Sequence, residues 1–212
     1  MRRPWRPAVG RKPSFSCDEV VDKALEIGLD NFTMAGIAKQ LGVVPSALYR
    51  LFPSRDDILA KCLQRIGVDT PRTNPDDTWQ DQLYDMCEQF WALCEKYPGF
   101  ATVLYIYPAP HLYWQDSLEF TVNNLVNAGI PGGKKRAIFA LKILGDIVTQ
   151  IYAIEENMRR KDKNGVTMYE KMQQRLEEHK DDLRVGFVPE KGEQGRLWYH
   201  DKVSFIIDSL GK

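Results

Sequence analysis

Histidine and the common catalytic motifs are scarce in this chain of 212 residues, which has only three histidines. His111, His179 and His200 lie far apart, and no G-x-S-x-G, phosphate-loop or H-E-x-x-H motif occurs. Those motifs carry nucleophilic, phosphate-binding and zinc chemistry. Their absence argues against an enzyme, so we expect no catalytic residues, no metal and no cofactor.

Cysteine is also sparse, and its spacing excludes the usual cysteine-based frameworks. There is no C-x-x-C pair and no histidine at zinc spacing from a cysteine, and the chain is too long for a disulfide scaffold. We therefore expect four reduced thiols that act as small hydrophobic side chains: Cys17, Cys62, Cys87 and Cys94. Cys87 and Cys94 share a helical face, which leaves a redox pair as an alternative.

Long apolar runs are missing as well. No stretch reaches the roughly 18 uninterrupted apolar residues of a membrane span, and the N-terminal "MRRPWRPAVGRKPS" has no apolar segment after its basic residues. The sequence predicts a cytoplasmic protein that makes no use of a membrane.

The net charge is zero, but its distribution along the chain is uneven. Residues 1–66 contain 11 lysines and arginines against 7 acidic residues, whereas residues 67–212 contain 18 against 22. A small basic domain attached to a mildly acidic larger one is typical of a head that binds a polyanion and a body with another task.

Helical periodicity dominates the sequence, and no long stretch alternates with period two, so we predict an all-α fold. Ser16 with Glu19 has the pattern of a capping box, and a first helix should end near Gly28. Thr33 is placed to cap a second helix, and Ser54 a fourth.

The turn-rich stretch 67–77 separates this head from a larger body. In the body we predict helices at about 78–97, 99–106, 110–128, 133–160, 166–184 and 194–210. The helix at 133–160 is apolar on more than one face, which indicates either a path through the middle of the body or one face on the core and another on a second chain.

The segment "GIAKQLGVVPSALYRLF" has the pattern of two short helices joined by a glycine turn at Gly42. Leu48 and Phe52 belong to the core face, which leaves an outer face of Pro45, Ser46, Ala47, Tyr49 and Arg50. Small residues allow close approach to DNA, a phenol can bond a phosphate, and a guanidinium can bond a phosphate or a guanine edge. The pattern predicts a helix-turn-helix, although an ordinary helical hairpin with a solvated face would show it too.

The longer register "FTMAGIAKQLGVVPSALYRLFPSRDDIL" resembles the N-terminal domain of TetR-family transcriptional regulators, closely over residues 16–66. The resemblance implies that phosphates are contacted by Thr33, Tyr49, Arg55 and, as a weaker candidate that could be only a solvated charge, Lys39. It implies that base edges or their flanking backbone are contacted by Ser46, Ala47 and Arg50.

The sequence departs from the family pattern at three positions. Ala35 and Gly36 replace polar DNA-contacting residues, and Val44 replaces a capping serine. An N-terminal arm, extended by prolines, could supply the missing contacts in a minor groove through Arg2, Arg3, Arg6, Arg11 and Lys12. A tail that only attracts DNA nonspecifically is the alternative.

By the same resemblance, the chain would divide into an arm at 1–15, a helix-turn-helix domain at 16–66 and a ligand-binding and dimerisation domain at 67–212. A homodimer formed by helices 133–160 and 194–210 would bind a pseudopalindromic operator as a repressor, released by a small effector. A body that binds no small molecule, and responds to a protein partner or to nothing, is the alternative.

Aromatic residues are dense between positions 79 and 120, which favours an apolar effector site for a flat, hydrophobic or aromatic ligand. Glu155 and Glu156 leave a cationic ligand open. The candidate lining residues are Phe90, Trp91, Cys94, Tyr107, His111, Trp114, Leu118 and Ile151.

Overall fold

The structure is a computed structural model that describes residues 15–70, 72–107, 110–177 and 196–211. It is all-α, and within these ranges the only extended pairing is an isolated bridge between Lys161 and Thr167. The head contains α1 (Cys17–Ile27), α2 (Met34–Gln40), α3 (Pro45–Leu48) and α4 (Arg55–Asp69). The body contains α5 (Trp79–Lys96), α6 (Phe100–Ile106), a 3-10 helix (Pro110–Tyr113), α7 (Gln115–Asn127), α8 (Gly133–Arg159), α9 (Met168–Glu177) and α10 (Arg196–Leu210).

The predicted helix starts in the head are confirmed. The Ser16 hydroxyl accepts a hydrogen bond from the Glu19 amide at 3.1 Å, and the Glu19 carboxylate accepts one from the Ser16 amide at 2.7 Å. Ser54 and Asp57 form a second capping box at the start of α4. Because each box satisfies amides that a helix leaves unpaired, these local signals define where the helices begin.

The helix α4 connects the head to the body and continues to Asp69, beyond the boundary expected at residue 66. The body holds the side chain of Asp69, the last residue of α4. The Tyr97 hydroxyl donates to the Asp69 carboxylate at 2.6 Å, and the Lys96 ammonium donates to it at 3.1 Å. These two hydrogen bonds hold the pKa of Asp69 below its ordinary value.

In the body, α8 is the central helix, since α5, α6, α7 and α10 all pack against it. One face is fully buried through Ala137, Ala140, Leu144 and Val148. A second face carries Phe139, Ile143, Ile147 and Ile154, of which Phe139 and Ile154 are more than half exposed. Although α8 is long and apolar enough to cross a membrane, 44% of its apolar stretch is buried inside the body.

The sequence prediction differs from the structure mainly around residue 114. The predicted continuous helix 110–128 is divided into a 3-10 turn and α7, because the Trp114 amide bonds to the His111 carbonyl at 3.2 Å and Trp114 then leaves the helical conformation. Of the predicted helix 166–184, the structure describes α9 to Glu177, and the remainder lies outside the described residues.

Candidate nucleic-acid interface and effector site

The turn between α2 and α3 is short and closed by the main chain. The Val43 amide bonds to the Ala38 carbonyl at 3.0 Å, and Gly42 has a φ of +67°. This left-handed conformation favours glycine, so the turn depends on Gly42. It places α3 against the head with Leu48 fully buried and Phe52 4% exposed.

The outer face of α3, together with Tyr49 and Arg50 in the turn that follows it, is open to solvent, and we call this surface the face of α3. Pro45, Ser46, Tyr49 and Arg50 are exposed, and Ala47 is half-buried. Tyr49 is 53% exposed, so its phenol is accessible to a partner. The structure therefore brings a hydroxyl, a phenol and a guanidinium together on one accessible surface, next to side chains small enough for close approach to a duplex.

Two further candidates lie on α2. The Thr33 hydroxyl accepts a hydrogen bond from the Gly36 amide at 2.9 Å, and Thr33 is exposed. Because a hydroxyl can accept and donate at the same time, Thr33 can cap α2 and still donate to a phosphate. Lys39, in the last turn of α2, is exposed.

Arg55 differs from its expected role. Its Nε donates to the Phe32 carbonyl at 3.1 Å, its Nη2 donates to the Leu29 carbonyl at 2.7 Å, and its guanidinium lies 4.4 Å from the centre of the Phe32 ring. The side chain therefore faces the protein and fastens the start of α4 to the loop between α1 and α2. We assign Arg55 to this internal contact instead of a phosphate contact.

The arm residues predicted to reach the minor groove lie outside the described residues. They are Arg2, Arg3, Arg6, Arg11 and Lys12.

In the body, the candidate effector residues divide into two aromatic groups. The first group, on α5, α6 and the start of α7, is a line of edge-to-face contacts. Phe90 and Phe100 have ring centres 6.0 Å apart, and Phe100 and Trp114 have ring centres 6.2 Å apart. Nearby, the Tyr107 and Tyr113 hydroxyls lie 3.4 Å apart. Phe90, Trp114, Tyr107 and Leu118 are half-buried, which suits side chains that line a site.

The second group joins α5, α8 and α10. The Trp91 ring centre lies 5.1 Å from that of Tyr152 and 4.8 Å from that of Tyr199. The indole Nε1 donates to Glu95 at 3.1 Å, and burial raises the pKa of Tyr152 to about 12. Trp91 is 1% exposed, so it fills the core between three helices. Cys94 and Ile151 are also buried on these helices.

His111 is exposed on the 3-10 helix, and its carbonyl accepts the Trp114 amide at 3.2 Å, so its main chain adjoins the first aromatic group while its side chain is open to solvent. Phe100, Tyr152 and Tyr199 belong to the aromatic groups but were not among the predicted residues. Helical spacing could have indicated Tyr152, which lies four positions after the buried Val148, whereas Tyr199 reaches Trp91 only through tertiary packing. Among the described residues, no cluster of three metal-ligating side chains occurs.

The first aromatic group lies next to the helix that leads to the head. Gly67 of α4 packs so tightly that a Cβ atom there would lie 2.6 Å from the Tyr113 carbonyl oxygen and 3.3 Å from the Trp114 Cβ. The main chain of α4 therefore touches the segment that carries Trp114. A displacement of Trp114 would therefore act directly on α4 through this contact.

On the outside of the body, an open groove of about 390 Å³ lies between α8 and α10. Its lining comprises Ile147, Asp201, Lys202, Phe205 and Ile206. Phe205 is 76% exposed. The groove continues the second apolar face of α8, so the two helices present one apolar surface.

Comparison with known proteins gives a family match within the head. Residues 24–62 match the sequence model of "Bacterial regulatory proteins, tetR family". The HTH-type transcriptional repressor DrrR1 of Streptomyces coeruleorubidus is 34% identical over 101 residues, which are 44% of this chain and 37% of that protein. The chain thus spans little more than a third of the length of that relative.

Solved structures match the fold over nearly the whole chain. The Streptomyces coelicolor TetR family protein ActR in complex with actinorhodin has a TM-score of 0.69 at 19% identity, covering 93% of this chain and 95% of that one. A single-residue variant of TetR from Acinetobacter baumannii in complex with minocycline has a TM-score of 0.61 at 15% identity, covering 92% and 93%. Head and body together therefore have the fold of these regulators.

Proposed function

We propose that the chain is a TetR-family transcriptional repressor that binds a pseudopalindromic operator as a homodimer and leaves it when a small aromatic ligand binds the body; the match of residues 24–62 to the family model and the similarity to DrrR1 support this. The observation that carries the DNA-binding part is the exposed face of α3, with Ser46, Tyr49 and Arg50 held outward by the buried Leu48 and Phe52. The second helix of a helix-turn-helix enters the major groove with such a face.

The roles on this face follow from side-chain chemistry. Tyr49 can donate to a phosphate oxygen, which fixes position without reading sequence, and Arg50 can form two hydrogen bonds to a guanine edge. Ser46 and the small Ala47 allow the start of α3 to come close to the bases. Thr33 and Lys39 extend the phosphate contacts onto α2.

Selection of bound sequences from a random duplex pool, at near-physiological salt, tests this part of the proposal. We expect an enriched palindrome whose half-sites are about one or two helical turns apart, roughly 10 or 20 base pairs. Enrichment of no sequence, with binding that falls steeply as salt rises, would contradict a sequence-specific repressor and leave only phosphate attraction.

Two variants assign the roles of the α3 residues on the selected operator. Tyr49→Phe should weaken binding by a similar factor on every sequence, because it removes one phosphate contact. Arg50→Ala should instead relax the preference at one operator position, with a discrimination loss of about 1–3 kcal/mol. A uniform loss for Arg50→Ala would reassign Arg50 to the DNA backbone.

The effector part of the proposal is supported by the first aromatic group and by its contact with α4. Phe90 and Trp114, half-buried and packed edge-to-face against the buried Phe100, offer ring surfaces to a flat apolar molecule. Similar folds have been solved in complex with actinorhodin and with minocycline. An effector that moves Trp114 would act on α4 through Gly67, provided that it binds the released and DNA-bound states with different affinity.

Displacement of operator DNA by a panel of polycyclic aromatic compounds, beginning with actinorhodin, tests the effector part. A coupling of about 1–3 kcal/mol would reduce operator affinity roughly 5–150-fold. Trp114→Leu should abolish the response, whereas Tyr105→Leu, on the exposed side of α6 at 80% exposure, should keep it. If no compound changes operator affinity, the body that binds no small molecule becomes the better interpretation.

The homodimer is supported by the apolar surface that α8 and α10 share. Symmetric pairing buries the same patch on both copies. Phe205 and Ile154, which are exposed in a single chain, would therefore be buried in each of the two copies. Two copies of α3 would then face two successive half-sites.

A further inference from the structure

The head is fastened to the body at a second place besides α4. We define the head–body junction as Leu29 and Asp30, in the loop between α1 and α2, together with Pro98, Gly99 and Arg160 of the body. The Leu29 amide donates to the Pro98 carbonyl at 2.8 Å, and Arg160 Nη2 lies 2.9 Å from Asp30 Oδ2. We propose that the Asp30–Arg160 pair is a positioning element that sets which half-site spacing the dimer accepts.

The junction is built to hold the Asp30 carboxylate in one place. Its side chain is 12% exposed, and its Oδ1 accepts a hydrogen bond from the Asn31 side chain at 2.7 Å. Gly99 approaches so closely that a Cβ there would overlap the Asp30 side chain and main-chain nitrogen, and its φ of +78° also favours glycine. The Gly99 amide in turn donates to Glu156 of α8 at 3.3 Å.

The junction also lies on the route to the DNA-binding surface. The Leu29 peptide is held on both sides, because its amide bonds to Pro98 and its carbonyl accepts from Arg55 of α4. Thr33, which caps α2, follows Asp30 by three positions. A change in where the body holds Asp30 must therefore move the helix-turn-helix as a unit.

On the body side, Arg160 ends the helix that carries the proposed dimer surface. Arg160 is the C-cap of α8, which spans 27 residues, or about 40 Å at 1.5 Å per residue. The path from dimer surface to head through α8 and Arg160 does not include Gly67. On the body side of the junction, Gly99 directly precedes Phe100 of the first aromatic group, so the junction lies beside the proposed effector site.

Half-site spacing is the property that such an orientation controls. Each base pair added between two half-sites moves one by about 3.4 Å and rotates it by about 35° around the duplex. A head fixed by a buried carboxylate accepts few spacings, whereas a head held only through α4 accepts more. The pair adds little to overall stability, because Arg160 is 53% exposed, so its role is visible in selectivity.

The inference rests on the proposed function, and its test uses the full-length protein and the selected operator. Affinity is measured for that operator and for versions with the central spacer one base pair longer and shorter. In Arg160→Gln and in the nearly isosteric Asp30→Asn, we expect the wild-type preference for the natural spacer to fall about threefold to tenfold, the range that one typical hydrogen bond supports.

The matched control is Arg65→Gln, which breaks ion pairs to Asp18 and Asp22 inside the head and leaves the junction intact. Arg65→Gln should keep the wild-type ratio between the affinity for the natural spacer and the affinity for the altered spacers. Combining Arg160→Gln with Asp30→Asn should cost no more selectivity than either change alone, because both remove the same contact.

The outcomes separate the inference from the proposed function. If selection recovers a palindrome but Arg160→Gln keeps the full spacing preference, or weakens all spacings equally, the positioning role is wrong while the repressor stands. If selection recovers no palindrome, the proposed function fails first. Because Arg160 is largely exposed, Arg160→Gln should fold normally, and thermal unfolding checks this directly.

Discussion

Arg55 shows how one side chain can be mistaken for a ligand contact. A basic residue in the first turn of a helix is well placed for a phosphate, but here two of its nitrogens bond main-chain carbonyls and its plane covers Phe32. Those carbonyls belong to a loop more than twenty positions earlier in the chain. Sequence alone does not reveal such an acceptor, because no periodic pattern connects the two segments.

The Arg55 assignment predicts a loss of stability. Arg55→Gln should lower the free energy of unfolding by about 1–3 kcal/mol, because two carbonyls lose charged donors. Arg50→Gln, an exposed arginine on the same head, should change it by no more than about 0.5 kcal/mol. Denaturant unfolding of both variants measures the difference.

The salt dependence of DNA binding checks the same assignment independently. If Arg55 does not touch a phosphate, Arg55→Gln leaves the slope of log affinity against log salt unchanged. A slope reduced by about 1, with normal stability, would restore the phosphate contact expected from the resemblance.

The cysteines can be distinguished by their reactivity. Burial raises the pKa of Cys62, Cys87 and Cys94 to about 12, whereas Cys17 is exposed. With a thiol reagent at pH 8, we expect one thiol per folded chain to react quickly and all four to react after unfolding. Cys17→Ser should remove the fast reaction. A count of only two thiols after unfolding without a reductant would instead support an oxidised pair at Cys87 and Cys94.

The same burial has a consequence for stability at high pH. A thiol whose pKa is raised above the ordinary 9.0 holds its proton more tightly in the folded state than in the unfolded chain. Its contribution is complete below pH 9 and is lost as the pH rises toward 12.

Among the elements, local signals determined what could be predicted. Capping boxes at Ser16 and Ser54 and the turn at Gly42 depend on neighbours within three or four positions, so the sequence contains the whole cause of these features. The division of 110–128 and the second aromatic group depend on packing between distant helices. The Asp30–Arg160 contact joins residues 130 positions apart, beyond the reach of any periodic argument.

The close approach of α4 to the 3-10 segment predicts opposite effects for two helical glycines. Gly67→Ala should lower the unfolding free energy by about 1–2 kcal/mol, because the added methyl meets the Tyr113 carbonyl and overpacking exceeds the gain in helix propensity. Gly145→Ala, with open space around it in α8, should raise stability by about 0.5–1 kcal/mol.

Thermal unfolding at one protein concentration compares these variants with the wild type. Equal stabilisation by both alanines would show that α4 and the 3-10 segment are not in firm contact. The effector response of Gly67→Ala should also be reduced, since α4 can no longer keep its position against Trp114.

In the whole molecule, the excess of basic residues and the exposed apolar surface lie in different parts of the chain. The basic surplus of residues 1–66 comes from the five basic residues at positions 2–12, since residues 13–66 contain 6 lysines and arginines against 7 acidic residues. The apolar surface lies at α8 and α10 in the acidic body. The sequence predicted this division because composition and wide apolar periodicity are properties of long segments. It could not predict the groove, whose walls come from two helices that meet only in the fold.

The apolar surface of α8 and α10 predicts the oligomeric state. Phe205→Glu should convert a dimer into a monomer, because a charge replaces an aromatic ring that two-fold symmetry buries twice. Loss of about 2 kcal/mol for each ring amounts to about 4 kcal/mol, or roughly a thousandfold in the dimer Kd. Light scattering during size-exclusion chromatography measures the mass directly, from the 24.4 kDa of one chain.

The matched control is Val68→Glu, which places the same charge at an 84% exposed position on α4. It should remain a dimer and bind the palindrome normally. Phe205→Glu should bind the full operator no more tightly than a single half-site, because only a dimer joins two half-sites into one binding event. A Phe205→Glu protein that stays dimeric would mean that the two copies meet elsewhere, and the spacing preference would then have to be traced from that other surface.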